Sequence, residues 1–274
     1  MTMNQKVLKG LTILSALTLS VLVYETAGAS TKTITVATDS DTAPFTYKKD
    51  DQFKGYDIDV VKAIFKDSKK YTVKYETVAF SSILTGLDAG RYQLAANDFN
   101  YNAERAEKYI FSDPISKSNY AIASKDGTSY DSLDDLSGKS TEALAGSNYA
   151  QVLEDWNKEH ADKKPIEINY VASSTAISTR LQGVETGKSD FILYDAISLD
   201  YIIDDQDLDL DTTALKDSVG GDKDGLEYLL FSKDEEGKEL ANFVNQRLKT
   251  LKEDGTLKKL SIKYFGDDFV STLK

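Results

Sequence analysis

The residues best suited to bind a small charged molecule are grouped around Arg105, near the middle of the chain. This arginine follows a polar stretch at residues 97–102 and stands in a segment, AERAEK, that predicts the start of a helix. A guanidinium forms two parallel charge-assisted hydrogen bonds with a carboxylate, and a helix start adds oriented N–H donors. The pattern favours capture of a small carboxylate, with a surface ion pair to Glu104 or Glu107 as the alternative.

A second charged candidate is Asp195, which ends the apolar run DFILYD, typical of a buried strand. Ligands of open α/β sheets gather outside the carboxyl ends of the strands, where an acid can pair with an ammonium group. The alternative role for Asp195 is an N-cap for the helix that follows it. Phe80 and Tyr149 are candidates to flank a ligand side chain, or core aromatic residues instead.

The elements that must position these residues follow a repeated strand and helix pattern, which indicates two lobes of parallel βαβ type. The predicted strands lie at residues 33–37, 71–75 and 91–96 in the first lobe, and at 166–171 and 190–195 in the second. Helices are expected to be capped at Ser81 or Ser82 and at Ser173 or Ser174. If the apolar strand at residues 228–231 rejoins the first sheet, the chain crosses between the lobes twice and forms a hinge.

Length and composition limit the class of protein. The 274 residues, of which 41% are hydrophobic and 28% charged, are enough for one large or two medium domains with real cores. A net charge of −12 disfavours nucleic acid as a partner. The chain has no cysteine, which excludes a disulfide, a thiolate metal site and a lipid-carrying cysteine.

The first 29 residues predict a secretory signal. Lys6 and Lys9 precede an apolar run at residues 11–23, and Ala27-Gly28-Ala29 follows, with cleavage expected after Ala29. The apolar run is shorter than the roughly 20 residues that span a bilayer, and retention as an uncleaved anchor is the alternative. We therefore expect an exported, extracytoplasmic protein, in a periplasm or at a cell surface.

Enzyme chemistry has little support in the residues themselves. The only histidine, His160, lies in a charged helical segment, EDWNKEHADKK, so no second histidine is available for a zinc site. The acids between residues 205 and 211 resemble a calcium loop, but Leu210 and Lys216 replace its glycine and glutamate. No phosphate-binding glycine loop or nucleophile elbow occurs. We expect no catalytic residues, no cofactor and no metal.

Five stretches of the chain resemble, in the same order, the bacterial extracellular solute-binding proteins of family 3, which serve polar amino-acid ABC importers. They are TITVATDSDTAPF, GYDIDVVKAI, LTGLDAGRYQLAANDFNYNAERAEKYIFSDP, SDFILYD and LKTLKEDGTLKKLSIKYFG. The resemblance implies an α/β, periplasmic-binding-protein-like (type II) fold, with two α/β lobes, a two-segment hinge and a ligand cleft between the lobes. It also implies an amino-acid ligand, the membrane permease of an ABC importer as partner, and a monomer.

The lobe boundaries and the cleft residues follow from combining this resemblance with the predicted elements. Lobe 1 is expected at residues 30–114 plus 228–274 and lobe 2 at 120–223, with hinge crossings at 115–119 and 224–227. Arg105 aligns with the arginine that holds the ligand α-carboxylate, and Asp195 with the acid that takes the α-ammonium. The other aligned cleft positions are Asp39, Phe80, Asp98, Asn100 and, in the loop that closes over the carboxylate, Gly146, Ser147, Asn148 and Tyr149.

Two of these residues depart from the family pattern. Asp98 stands where a glycine or asparagine is usual, and Asn100 where a threonine is usual. The loop is most similar to members that bind cystine or other polar amino acids, so cystine is one candidate ligand. Two further functions use the same fold: an exported dehydratase of the prephenate or arogenate type, and a surface adhesin or signalling receptor.

Overall fold

The computed structural model describes residues 31–219, 221–223 and 225–273, so the predicted signal lies outside the described residues. The strands, in chain order, are β1 (Lys32–Thr38), β2 (Asp41–Thr42), β3 (Thr46–Lys49), β4 (Gln52–Lys54), β5 (Tyr71–Thr77), β6 (Leu94–Asn100), β7 (Tyr109–Phe111), β8 (Ser116–Lys117), β9 (Tyr120–Lys125), β10 (Ser140–Leu144), β11 (Glu167–Val171), β12 (Phe191–Asp195), β13 (Leu210–Ala214) and β14 (Leu226–Ser232). The α-helices are α1 (Tyr56–Phe65), α2 (Phe80–Asp88), α3 (Ala103–Lys108), α4 (Asn148–Glu159), α5 (Ile177–Glu185), α6 (Ala196–Gln206), α7 (Glu235–Glu253) and α8 (Thr256–Phe265). Among the residues described, none of the helices has the length and apolar character needed to cross a bilayer.

The first lobe is built on a sheet in the order β5-β1-β6-β14-β7, with β8 also paired to β14. Strands β5, β1 and β6 are parallel, whereas β14 runs antiparallel to β6, β7 and β8. Alternate side chains of β1 enter different cores: Ile34 and Val36 pack with α1, α7 and α8, and Ala37 packs with α2. A small antiparallel sheet, β2-β3-β4, follows β1.

The second lobe has a sheet in the order β11-β10-β12-β9-β13. Strands β11, β10 and β12 are parallel, and β9 and β13 complete the sheet in antiparallel pairings. One core joins the sheet to α4, α5 and α6, with Leu153, Leu181 and Leu199 as their central contacts. The two sheets confirm the α/β class and the two-lobed architecture.

The strand at the centre of the first lobe differs from its prediction. We expected a strand that ends at Ala96 and a polar loop over residues 97–102, but β6 continues through Asn100, and all of its side chains are buried. Strand β14 pairs with this polar part, Tyr228 with Phe99 and Glu227 with Asn100. The pairing provides hydrogen-bond partners for the backbone N–H and C=O groups of these residues. A polar sequence that resembles a loop therefore forms the end of a strand.

The serine caps predicted for two helices are wrong. Helix α2 begins after Ala79 and α5 after Ala176, and neither residue provides a side-chain cap. The predicted serines at residues 81–82 lie inside α2, and those at 173–174 lie before the start of α5. A serine caps a helix only when it is the residue at which the helix begins, and the helices here begin two or three residues away from the predicted serines.

Strand β14 rejoins the first sheet, so the chain crosses between the lobes twice. The crossings lie side by side, because the Ser118 N–H donates to the Gly225 carbonyl at 2.9 Å and the Ile115 N–H to the Glu227 carbonyl at 2.9 Å. This is a hinge of two adjacent segments. The residue boundaries that we predicted for the lobes stay a prediction.

Candidate ligand-binding cleft

Direct hydrogen bonds join the two lobes on either side of a cleft. The Asn148 amide, at the start of α4, accepts from Asn102 Nδ2 at 2.8 Å and donates to the Tyr101 carbonyl at 3.0 Å. Arg105 Nη2 reaches across from the first lobe to the Gly146 carbonyl at 2.9 Å. These contacts hold the lobes together, so the structure represents a closed arrangement.

Arg105 is fixed at the start of α3 by its own backbone. Asn102 caps this helix, with its Oδ1 accepting from the Arg105 N–H at 2.7 Å. The guanidinium is 7% exposed, lies 5.3 Å from the centroid of the Phe99 ring, and donates to the Asn100 carbonyl at 3.2 Å. Burial lowers the pKa of Arg105, but the group remains a cation. The structure thus places a buried positive charge in the wall of the cleft.

Three buried carboxylates meet where the cleft adjoins the hinge. Oxygen atoms of Asp98, Asp195 and Glu227 all lie within 4.8 Å of one another, and we call these residues the acid cluster. Asp98 sits at a left-handed position in β6, with φ of 48°. Its N–H donates to the buried Asp57 carboxylate at 3.0 Å, and its side chain accepts from the Tyr149 hydroxyl at 3.1 Å.

The acid cluster carries strongly perturbed pKa values. Burial raises the pKa of Asp98 and of Glu227 well above the usual range, and the charges of the other buried acids add to the effect. Burial also raises the pKa of Asp195 to about 6, against hydrogen bonds from Ser118 and the helix backbone. Within the described residues no N–H or hydroxyl group donates to Asp98 Oδ1 or Glu227 Oε1, but the two carboxyl groups can hydrogen-bond to each other when one of them is protonated. Such a cluster can accept a cation, either an ammonium group or a metal ion.

The structure shows the capping role considered for Asp195, and pairing with an ammonium group stays a prediction. It ends β12 and caps α6, with its Oδ1 accepting from the Ser198 N–H at 2.8 Å. It does not line the cleft itself, but it belongs to the acid cluster through Asp98, which does. The capping role therefore does not remove this acid from the neighbourhood of a ligand.

The cleft gathers most of the other predicted residues. Those that line it are Asp39, Phe80, Asp98, Asn100, Arg105, Ser147, Asn148 and Tyr149, whereas Gly146 and Asp195 do not. Gly146 acts through its carbonyl, which accepts from Arg105. The Asp39 carboxylate accepts from Asn97 Nδ2 at 2.9 Å and Thr42 Oγ1 at 2.8 Å, so internal hydrogen bonds hold it.

Aromatic rings form two walls of the cleft. Phe80 stacks on Phe99 with a centroid distance of 6.0 Å, and Tyr149 packs against Tyr194 at 4.4 Å. Phe80, Phe99, Tyr149 and Tyr194 all line the space. The arrangement provides apolar surface for a ligand side chain between charged groups.

Sequence reasoning missed two important charged residues. Arg180, on α5, is 3% exposed and lines the cleft from the second lobe. Glu227 lies inside the apolar strand β14 and is fully buried. The sequence pattern indicates that both charged residues are buried. Arg180 falls on the same face of its helix as Ile177 and Val184, and Glu227 interrupts an otherwise apolar run.

Two α/β lobes, a two-segment hinge and a polar cleft between them define a type II periplasmic binding protein. The model of the bacterial extracellular solute-binding proteins, family 3, matches residues 34–267. The chain belongs to this family.

Named relatives agree with this assignment. The chain is 32% identical over 222 residues to the L-cystine-binding protein TcyJ of Bacillus subtilis (strain 168), covering 80% of this chain and 78% of the relative. A solved structure from work on glutathione import in Gram-positive bacteria via GshT and the cystine ABC importer TcyBC of Streptococcus mutans is 36% identical, with a TM-score of 0.81 and coverage of 88% of this chain and 97% of that chain. The structure of a putative L-cystine ABC transporter from Listeria monocytogenes is 28% identical, with a TM-score of 0.77 and coverage of 89% and 100%. The family consists of extracellular solute-binding proteins, and the Bacillus subtilis relative is named as a binding protein for L-cystine.

Proposed function

We propose that this protein is an extracytoplasmic receptor that captures a polar amino acid in the cleft and delivers it to an ABC importer. The observation that carries the proposal is that a buried arginine, Arg105, and a buried acid, Asp98 of the acid cluster, line the same cleft. An α-amino acid presents a carboxylate and an ammonium group a few ångströms apart, which matches Arg105 and the acid cluster. The aromatic walls then contact the side chain.

Cystine is the first ligand to test. The relatives from Bacillus subtilis and Listeria monocytogenes carry cystine in their names, and the Streptococcus mutans work links glutathione import to a cystine importer. A thermal-shift screen over the common amino acids, cystine and glutathione, followed by calorimetry, identifies the ligand class. We expect saturable binding of at least one amino acid without turnover. Absence of binding across the whole screen would contradict the proposal.

The Arg105→Ala variant tests the role of Arg105. Truncating one partner of a buried charge pair costs about 2 kcal/mol or more, so the affinity for the ligand found in the screen should fall at least about thirtyfold. Arg247→Ala is the matched control, because Arg247 also donates to backbone carbonyls, those of Ile64 at 3.0 Å and Ala63 at 3.4 Å, but lies on α7 outside the cleft lining. Near-wild-type affinity in Arg105→Ala would remove the assignment.

Uptake in cells separates transport from the other functions of the fold. Deleting the protein should reduce uptake of its ligand, and unaffected uptake would favour an adhesin or a signalling receptor. Incubation with prephenate or arogenate tests the enzyme alternative, since a dehydratase would release an aromatic product. We expect no such product.

A further inference from the structure

Arg180 is a buried cation of the cleft that the proposed contacts of an amino-acid head group do not use. Arg180 is 3% exposed, and its buried Nε has no hydrogen-bond partner among the residues that the structure describes. Of the acids whose charges act on it, Glu142 is ion-paired with Lys188, and Asp41 is exposed at the edge of the cleft. The described residues thus leave the charge of Arg180 without a close ionic partner.

A positive charge in this position is costly unless something compensates for it. A guanidinium stays protonated at physiological pH, and burial of a charge without a partner destabilises the folded protein. The guanidinium carbon lies 5.5 Å from the centroid of the Tyr194 ring, and this cation–π contact compensates for part of the cost. An anion that enters the cleft would supply the remaining compensation.

The aromatic wall places Arg180 away from the head-group site. Tyr194 lies against the guanidinium, Tyr149 packs on Tyr194 at 4.4 Å, and the Tyr149 hydroxyl donates to Asp98. A chain of two tyrosine rings thus leads from Arg180 to Asp98 of the acid cluster. A ligand with its ammonium at the cluster would extend its side chain along these rings, and the far end of a long side chain would reach Arg180.

We infer that Arg180 binds a second carboxylate at the far end of the ligand. The inference rests on the proposed function and narrows it to amino acids or short peptides with two carboxylates, a class that includes cystine, glutathione and glutamate. Arg105 and Arg180 then hold the two ends from facing lobes. Arg180 is in this view a specificity-determining residue, and its contact contributes to closure.

Calorimetry with three pairs of compounds tests this inference on the wild-type protein. The pairs are cystine and the cysteine–cysteamine mixed disulfide, glutathione and its C-terminal amide, and glutamate and glutamine. In each pair the second compound lacks the charge of one carboxylate and is otherwise closely similar. We expect the best-bound compound to have two carboxylates and to bind at least about tenfold more tightly than its own analogue.

The Arg180→Gln variant tests whether Arg180 causes the preference for the compound with two carboxylates. It should abolish the preference within the pair while the affinity for the analogue stays within about threefold of wild type. Arg247→Gln, outside the cleft, should keep the preference. A similar loss for both members of the pair would show that Arg180 only packs the wall, and the inference would be wrong. If the Arg180→Gln variant does not fold, the inference is judged from the affinities of the three pairs of compounds for the wild-type protein.

The outcomes separate this inference from the function on which it rests. Equal affinity within the best pair, or a best ligand with a single carboxylate, overturns the inference and leaves the proposed function standing. Failure of all six compounds and of the amino-acid screen to bind overturns both.

Discussion

At the scale of single residues, the acid cluster is the group that would contact the ammonium of the ligand in the proposed function. Asp98, Asp195 and Glu227 are each at most 8% exposed, and their raised pKa values mean that their charges are poorly compensated in the folded protein. A ligand ammonium in contact with Asp98 would supply that compensation. The binding energy therefore depends on the ionisation of the cluster.

The first prediction concerns pH. A carboxyl group with a raised folded-state pKa contributes stability that is full below its unfolded pKa and is lost as pH rises through the folded pKa. Once its acids are ionised, the cluster contributes least to the stability of the folded protein. In the same state it binds a cation most readily. Because the pKa of Asp195 is about 6, lowering the pH from 7.5 to 5 should weaken ligand binding about tenfold, measured by calorimetry.

The Asp195→Asn variant is the control for this pH dependence. Asparagine still caps α6 but cannot ionise, so helix content and folding should be retained while the slope of affinity against pH becomes smaller. An unchanged slope would assign the titration to Asp98 or Glu227 instead. A wild-type affinity that does not vary between pH 5 and 7.5 would contradict the ammonium site.

At the scale of elements, the periodic segments were predictable and the polar ends of strands were not. The βαβ order and the apolar strand that becomes β14 followed from hydrophobic period and turn residues, whereas the return of β14 to the first sheet was only a condition of the predicted hinge. Residues 97–100 looked like a loop, because nothing local shows that β14 will pair with them. Glu227 belongs to the site because that strand pairing places it close to Asp98, which the sequence alone does not show. Such long-range pairing cannot be read from a local pattern.

The second prediction concerns the hinge, where Gly225 has no room for a side chain. Its φ is +68°, and a Cβ built there would lie 1.7 Å from the Ser118 carbonyl oxygen on the adjacent crossing. Gly225→Ala should therefore lower the free energy of unfolding by about 2 kcal/mol or more, measured by urea denaturation. The substitution should also weaken ligand binding, because the two crossings must separate slightly.

Gly127→Ala separates the hinge contact from the general cost of a positive φ. Gly127 has a φ of +75°, but a Cβ there would have no atom of the described part of the chain within 4 Å. It should lose only about 1 kcal/mol of stability and keep wild-type affinity. Equal losses in the two variants would contradict a steric role for Gly225 in the hinge.

At the scale of the whole molecule, closure depends on a small number of contacts between the lobes. Ligand and protein groups share the same interface, because Arg105 bonds to Gly146 across the cleft while its guanidinium also lines the ligand space. Each hydrogen bond between the lobes exists only in the closed arrangement and so favours it over an open one. A ligand that contacts both lobes also stabilises the closed arrangement, because an open cleft cannot provide both sets of contacts at once.

The last prediction tests this link between closure and affinity. Asn148 makes two hydrogen bonds to the first lobe, from Asn102 and to the Tyr101 carbonyl, each worth about 1 kcal/mol. Asn148→Ala should open the ligand-free protein, seen as a larger radius of gyration by small-angle X-ray scattering, and reduce affinity about tenfold or more. Gln151→Ala, on the same helix, removes only a bond to Asp155 within the lobe and should change neither quantity. Lower affinity in Asn148→Ala without any change in dimensions would mean that Asn148 contacts the ligand directly and does not act through closure.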